Sequence, residues 1–281
     1  MQRGDLVGAL QQYEESMKID PNYAETWFDA GNALSAAGRL PEAIDKYRQA
    51  VKLNPRYAQA HDNLGSAMML AGRVPDAMEQ FEIALRLNPD DAKALSNMGD
   101  ALARQGRFSE AIEEFRAALK IDPGLAEAHN RMGGALQQAG QTEDAAEQYV
   151  EALKIKPDYA EARLNLGIAL SRMGMLTEAE EQIRAALKLL PDNPVARTSL
   201  GNVFLRRGKF PDAMAQYREA LKHDPNFAEA HNNLGAVLEH EGRPAQAAAE
   251  YREALRINPN DEEARENLAR VEGKKKSVPS R

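Results

Sequence analysis

The chain has 281 residues, with 36 lysines and arginines against 43 aspartates and glutamates, a formal net charge of −7. That balance lacks the basic footprint of nonspecific nucleic-acid or membrane-surface binding, so neither partner is expected. There is no cysteine, which excludes thiol catalysis, disulfides and cysteine-based zinc sites and fits any redox compartment.

The opening residues, MQRGDLVGAL, lack the apolar stretch of a signal peptide. No run approaches the ~20 apolar residues of a membrane-spanning helix, so a cytoplasmic chain without membrane insertion is expected. Residues 1–23 read as half a repeat, a second helix alone. Gly4 would be its turn glycine, with Ala9, Leu10, Tyr13 and Met17 on the packing face. No preceding helix covers that face. Either the chain is cut from a longer protein, or the helix is an association surface for a weak homodimer.

Eight prolines follow at a fixed interval of 34 residues: Pro21, Pro55, Pro89, Pro123, Pro157, Pro191, Pro225 and Pro259. A strict period of that length marks one supersecondary unit stacked on itself. Residues 24–261 hold seven full repeats, whose positions are counted here from Ala24. In the first, Trp27, Ala30, Gly31 and Leu34 form a helical stripe. Gly38 suits a left-handed cap, and Pro41 suits the first turn of a second helix. Ala43, Ile44, Tyr47, Ala50 and Val51 line one face of that helix. The eighth position is Gly in all seven repeats and the twentieth is always Ala, which predicts close approach of the paired helices. The twenty-fourth carries the core side chains Tyr47, Phe81, Phe115, Tyr149, Ile183, Tyr217 and Tyr251. Residues 262–272 read as a polar capping helix, and 273–281, with Lys274, Lys275 and Lys276, as a disordered basic tail.

This pattern of Gly, Leu or Phe, Ala, Tyr, Ala and Pro across 34 residues resembles the tetratricopeptide repeat. The motif's early Trp survives only as Trp27; His61, Leu95, His129, Arg163, Arg197 and His231 stand at that fourth position elsewhere. The resemblance implies an all-α fold, a right-handed α-solenoid superhelix of helix-turn-helix units whose first helices line a concave groove.

Chemistry is sparse. His61 and His129 share a register but lie two layers of roughly 10 Å apart, too far to share a metal. His240 follows His231 by nine residues, not the i, i+4 spacing of a helical metal pair. No phosphate loop, nucleophile elbow or paired-acid signature is present, so neither enzymatic activity nor a cofactor is expected. The groove is where specificity would sit. Its sixth position reads Asp29, Asn63, Asn97, Arg131, Asn165, Ser199, Asn233 and, in the cap, Asn267. A side-chain amide both donates and accepts, which matches the backbone of an extended peptide; the alternative is that these amides bond neighbouring helices or face water. AEAHNNLG at 228–235 looks like the repeats of O-linked N-acetylglucosamine transferase, whose asparagine ladder lines the superhelix. By that resemblance Asn63, Asn97, Asn165 and Asn233 would hold a peptide backbone, with breaks at Asp29, Arg131 and Ser199. The thirteenth position adds Arg104, Gln138, Arg172 and Arg206, and Leu164 with Ile168 would put an apolar anchor beside them.

The expected function is a non-catalytic scaffold that binds a protein or extended peptide through these residues. The alternatives are the substrate-recruiting arm of a larger enzyme, such as a glycosyltransferase, and a self-assembling organiser.

Overall fold

The computed structural model describes the backbone of residues 3–276 and the side chains of residues 8–273. Among the described residues every regular element is a helix, so the fold is all-α. The chain forms two compact units, Met1–Gln141 and Thr142–Arg281. Unit 1 contains α1 (Arg3–Ile19), α2 (Ala24–Ala36), α3 (Leu40–Leu53), α4 (Ala58–Leu70), α5 (Val74–Leu87), α6 (Ala92–Arg104), α7 (Phe108–Ile121) and α8 (Ala126–Gln138). Unit 2 contains α9 (Thr142–Ile155), α10 (Ala160–Arg172), α11 (Leu176–Leu189), α12 (Pro194–Arg206), α13 (Phe210–His223), α14 (Ala228–His240), α15 (Pro244–Ile257) and α16 (Glu262–Lys276).

Two boundaries differ from the expectation. Gly4 lies inside α1 rather than at a turn, and α16 continues four residues beyond 272, so the expected tail is helical as far as Lys276. The rest of that tail, 277–281, lies outside the described residues.

The turn chemistry explains the helix pairs. Gly38 adopts φ +72°, and its N–H donates to the Ser35 carbonyl at 2.9 Å while Arg39 N–H reaches back to Leu34 at 2.9 Å. These two bonds are a Schellman cap, which consumes carbonyls that the end of α2 would otherwise leave unsatisfied. Pro41 then sits in the first turn of α3, where no N–H is required.

Packing inside a pair centres on the twenty-fourth position. A Cβ added at Gly65 would lie 2.6 Å from Phe81 Cε1 and 3.0 Å from the Ala77 carbonyl oxygen. The ring, more than the alanine at the twentieth position, therefore requires the glycine. Phe81, Phe115, Tyr217 and Tyr251 are fully buried, each burial contributing about 2–3 kcal/mol. Within each unit, first helices of successive repeats touch (α2 with α4, α4 with α6, α6 with α8; α10 with α12, α12 with α14, α14 with α16). The second helices of successive repeats do not. First helices therefore line the tighter, inner side of each unit.

The varied fourth position has one chemistry. Trp27 Nε1, His61 Nε2, His129 Nε2, Arg163 Nε, Arg197 Nε and His231 Nε2 each lie 3.0–3.2 Å from the carbonyl of the proline six residues earlier. Arg265 makes the same bond to Pro259. What the position requires is an N–H donor on an apolar body, which Trp, His and Arg all provide. Leu95 is the exception, since it has no donor.

Candidate functional site

The inner face of unit 1 carries a cleft of about 250 Å³ between α4, α6 and α8. Its rim holds Leu70, which is 65% exposed although leucine ordinarily seeks the core. Arg131 on α8 lines the same cleft and makes no hydrogen bond or ion pair among the described residues. Arg104 pairs with Asp100 one helical turn away at 3.4 Å.

Beneath them, Asn97 ties α6 to α4. Its Nδ2 donates to Asp62 Oδ1 at 2.9 Å and to Ser66 Oγ at 3.2 Å. Asp62 is only 7% exposed, and burial pushes its carboxyl up to about 6, opposed by the hydrogen bond from Asn97. Asp91 adds to the upward shift and Lys93 works against it. Asp62, next to the cleft residue Asn97, thus gains negative charge as the pH rises through about 6.

The sixth-position amides are structural ties on their donor side. Asn63 Nδ2 reaches Asn32 Oδ1 at 2.7 Å, and the same oxygen accepts from Tyr47 Oη at 2.8 Å. Unit 2 repeats the arrangement with Asn233 on Asn202 at 2.9 Å and Tyr217 on Asn202 at 2.8 Å. Burial pushes the Tyr47 and Tyr217 hydroxyls up, so both stay protonated donors. Asparagine at the ninth position thus goes with tyrosine at the twenty-fourth and asparagine at the sixth position of the next repeat. Where the ninth and twenty-fourth are Ile168 and Ile183, the next sixth position is Ser199, and Ile168 packs on the apolar core that holds Ile183.

One expectation is corrected. Leu164 is 8% exposed and belongs to the core of unit 2 with Ala196 and Leu200, so it offers no apolar surface to a groove. The fifth position is buried in every repeat, and within a unit it faces the next first helix. Ile168 packs against the same core and is half-buried. Asn165 is half-buried on α10, and Arg172 is exposed at its last turn. Arg206 donates to the Ser171 carbonyl and hydroxyl, and together with Asn233 lines a second inner pocket of about 520 Å³ in unit 2. Of the ten sequence-derived candidates, the unit 1 cleft therefore gathers Asn97, Arg104 and Arg131. Leu70 and Ser66 were missed; the large apolar thirteenth position at Leu70, followed by Arg104, Gln138, Arg172 and Arg206, was the available signal.

Comparison with known proteins decides the family. Residues 91–280 match the tetratricopeptide family described as "Cilia and flagella-associated protein 70 C-terminal domain", and residues 1–38, 31–72 and 69–106 match the general tetratricopeptide repeat. The chain belongs to this tetratricopeptide-repeat family. No curated protein matches it. Among solved structures it is similar to the Cut9–Hcn1 hetero-tetramer of the APC/C, with TM-score 0.76 and 18% identity over 95% of this chain and 52% of that one. It thus spans about half the length of that relative. A tetratricopeptide repeat protein from Parabacteroides merdae aligns at TM-score 0.68 and 19% identity, over 89% of this chain and 98% of that chain. PilF of Pseudomonas aeruginosa aligns at TM-score 0.66 and 21% identity, over 76% and 97% respectively. At these identities the likeness establishes the tetratricopeptide fold. Among the described residues no helix is long and apolar enough to cross a membrane, and no three His, Cys, Asp or Glu side chains converge as a metal site.

Proposed function

We propose that this tetratricopeptide chain is a non-catalytic interaction scaffold that holds an extended segment of a partner protein against the inner face of unit 1. The observation that carries the reading is Leu70, 65% exposed in the same cleft as Arg131, a guanidinium with no ion pair of its own. An exposed leucine beside an uncompensated arginine matches a partner segment with an apolar side chain next to a carboxylate. Asn97 serves differently from the ladder that the sequence resemblance implies. With its Nδ2 committed to Asp62 and Ser66, only its amide oxygen is left to accept from a partner.

The test is selection of random peptides displayed on phage against the protein, followed by binding of the selected peptides to Leu70→Asp combined with Arg131→Glu. The proposal expects sequences enriched in an acidic residue next to an apolar one, bound at least about tenfold more weakly by the double variant. Selected peptides that bind both proteins equally would place recognition elsewhere.

A further inference from the structure

The fourth position reaches a second partner besides the proline carbonyl. In the repeats that lie whole within one unit, it meets the twenty-third position on the paired helix. His61 Nδ1 lies 2.8 Å from Gln80 Oε1, and His231 Nδ1 lies 2.7 Å from Glu250 Oε2. Arg163 Nη1 donates to Gln182 at 3.2 Å and Arg197 Nη1 to Gln216 at 3.4 Å. Lys46 Nζ sits over the Trp27 ring, 4.7 Å from its centroid. One repeat breaks the rule. Between α6 and α7 the pair is Leu95 and Glu114, and a leucine donates nothing.

Glu114 is consequently stranded. It is half-buried and makes no hydrogen bond or ion pair among the described residues. Burial, and then the nearby Glu110 charge, push its carboxyl above the usual range. The neighbouring cations do not relieve it, because Arg107 is held by Glu110 at 2.6 Å and Arg86 lies 3.8 Å from Glu82. Glu114 lines a pocket of about 490 Å³ among α5, α6 and α7, with none of the inner cleft's lining residues in it and with Met78, Leu85, Met98 and Leu102 among its walls. Methionine-rich walls adapt to a flexible apolar stem.

The molecule itself displays the chemistry that answers such an acceptor. Arg163 and Arg197 bring a guanidinium on an alkyl stem to the twenty-third position of their own repeats. We infer that the pocket bounded by Met78, Leu85, Met98 and Glu114 is a docking site for an arginine side chain of a partner protein. The stem lies along the methionines and the guanidinium takes the Glu114 carboxylate that Leu95 leaves unpaired. Charge complementarity selects the occupant, since Glu114 is a carboxylate without a partner beside Met78, Leu85, Met98 and Leu102, while the lining arginines Arg86 and Arg107 are directed to Glu82 and Glu110. This site is independent of the inner cleft, and either can fail without the other.

The probe is Nα-acetyl-arginine N-methylamide, titrated against protein carrying ¹³C-labelled methionine methyls, with the isosteric but uncharged citrulline analogue as control. The inference expects saturable shifts of the Met78 and Met98 methyl signals with the arginine compound and none with citrulline. Glu114→Gln should weaken the interaction about tenfold. Leu95→Arg, which supplies the guanidinium from within, should abolish it while raising the melting temperature. Equal shifts with citrulline, shifts unchanged in Glu114→Gln, or no shift of either methyl up to saturating compound would each overturn the inference.

Discussion

The repeats at 92–125 and 228–261 share a backbone and differ in how they treat one carboxylate. In the second, Glu250 and the Pro225 carbonyl flank His231 at 2.7 and 3.1 Å, and both are acceptors. Only an imidazolium, donating from both nitrogens, satisfies the two together. In the first, Glu114 holds the same register opposite Leu95 and is left without a donor. At position 61 the geometry is the same but the partner is Gln80, an uncharged amide that can turn to donate or accept. One register thus runs as a clasp on a carboxylate, a clasp on an amide or an open acceptor, according to two residues nineteen apart.

The largest expected effect comes from making the closed repeat resemble the open one. His231→Leu removes a charge-assisted bond and strands Glu250, which should cost about 2 kcal/mol by urea denaturation near pH 6. A cost below about 0.5 kcal/mol would mean that the clasp is incidental.

A smaller effect follows from titration. The hydrogen bond that His231 donates to Glu250, together with the one to the Pro225 carbonyl and despite burial, raises His231 above its ordinary value, and Glu253 adds to the shift. A histidine whose folded value lies above its unfolded value of about 6.5 stabilises fully below that value and loses the contribution as pH rises through the folded one. The urea midpoint should therefore fall between about pH 6 and pH 9, and His231→Gln should flatten that portion of the profile. A wild-type slope retained in the variant would assign the titration to another group.

The smallest effect reverses the sign. Because folding raises the Glu114 carboxyl, ionised Glu114 costs stability at neutral pH, and that cost vanishes in acid below the unfolded value of about 4.3. Glu114→Gln should raise stability at pH 7 by up to about 1 kcal/mol, whereas Glu250→Gln should lower it. Two changes of the same sign would erase the distinction between the repeats.

Local features were legible in the sequence. The 34-residue period, the Gly38 cap, Pro41 at the start of α3 and the close approach at the eighth-position glycine all follow from short-range sterics, although the glycine's nearest neighbour is the twenty-fourth-position side chain and not the twentieth-position alanine. Features set by contact between repeats were not. Leu164 looked exposed because helical periodicity within one repeat cannot reveal that the next first helix covers its fifth position. The Asn63, Asn97 and Asn233 amides could equally have bonded a peptide or a neighbour, and only the stacking puts Asn32, Asp62 and Asn202 within reach. Pairing of the fourth and twenty-third positions leaves no local periodic trace. It emerges only when substitutions at both registers are compared across repeats. Leu70, the most informative residue of the inner cleft, is the one large apolar residue among the thirteenth positions and was visible as such.

The most direct measurement is urea denaturation of Leu95→His at about pH 6 and about pH 9. Placing an imidazole opposite Glu114 rebuilds the pair that His231 and Glu250 form. The account predicts that the variant is more stable than wild type by about 1 kcal/mol at the lower pH. That gain should disappear at the higher one, as the new imidazole loses its proton. A destabilised variant, or a gain that persists unchanged across the two pH values, would contradict the claim that Glu114 is an open acceptor awaiting a cation.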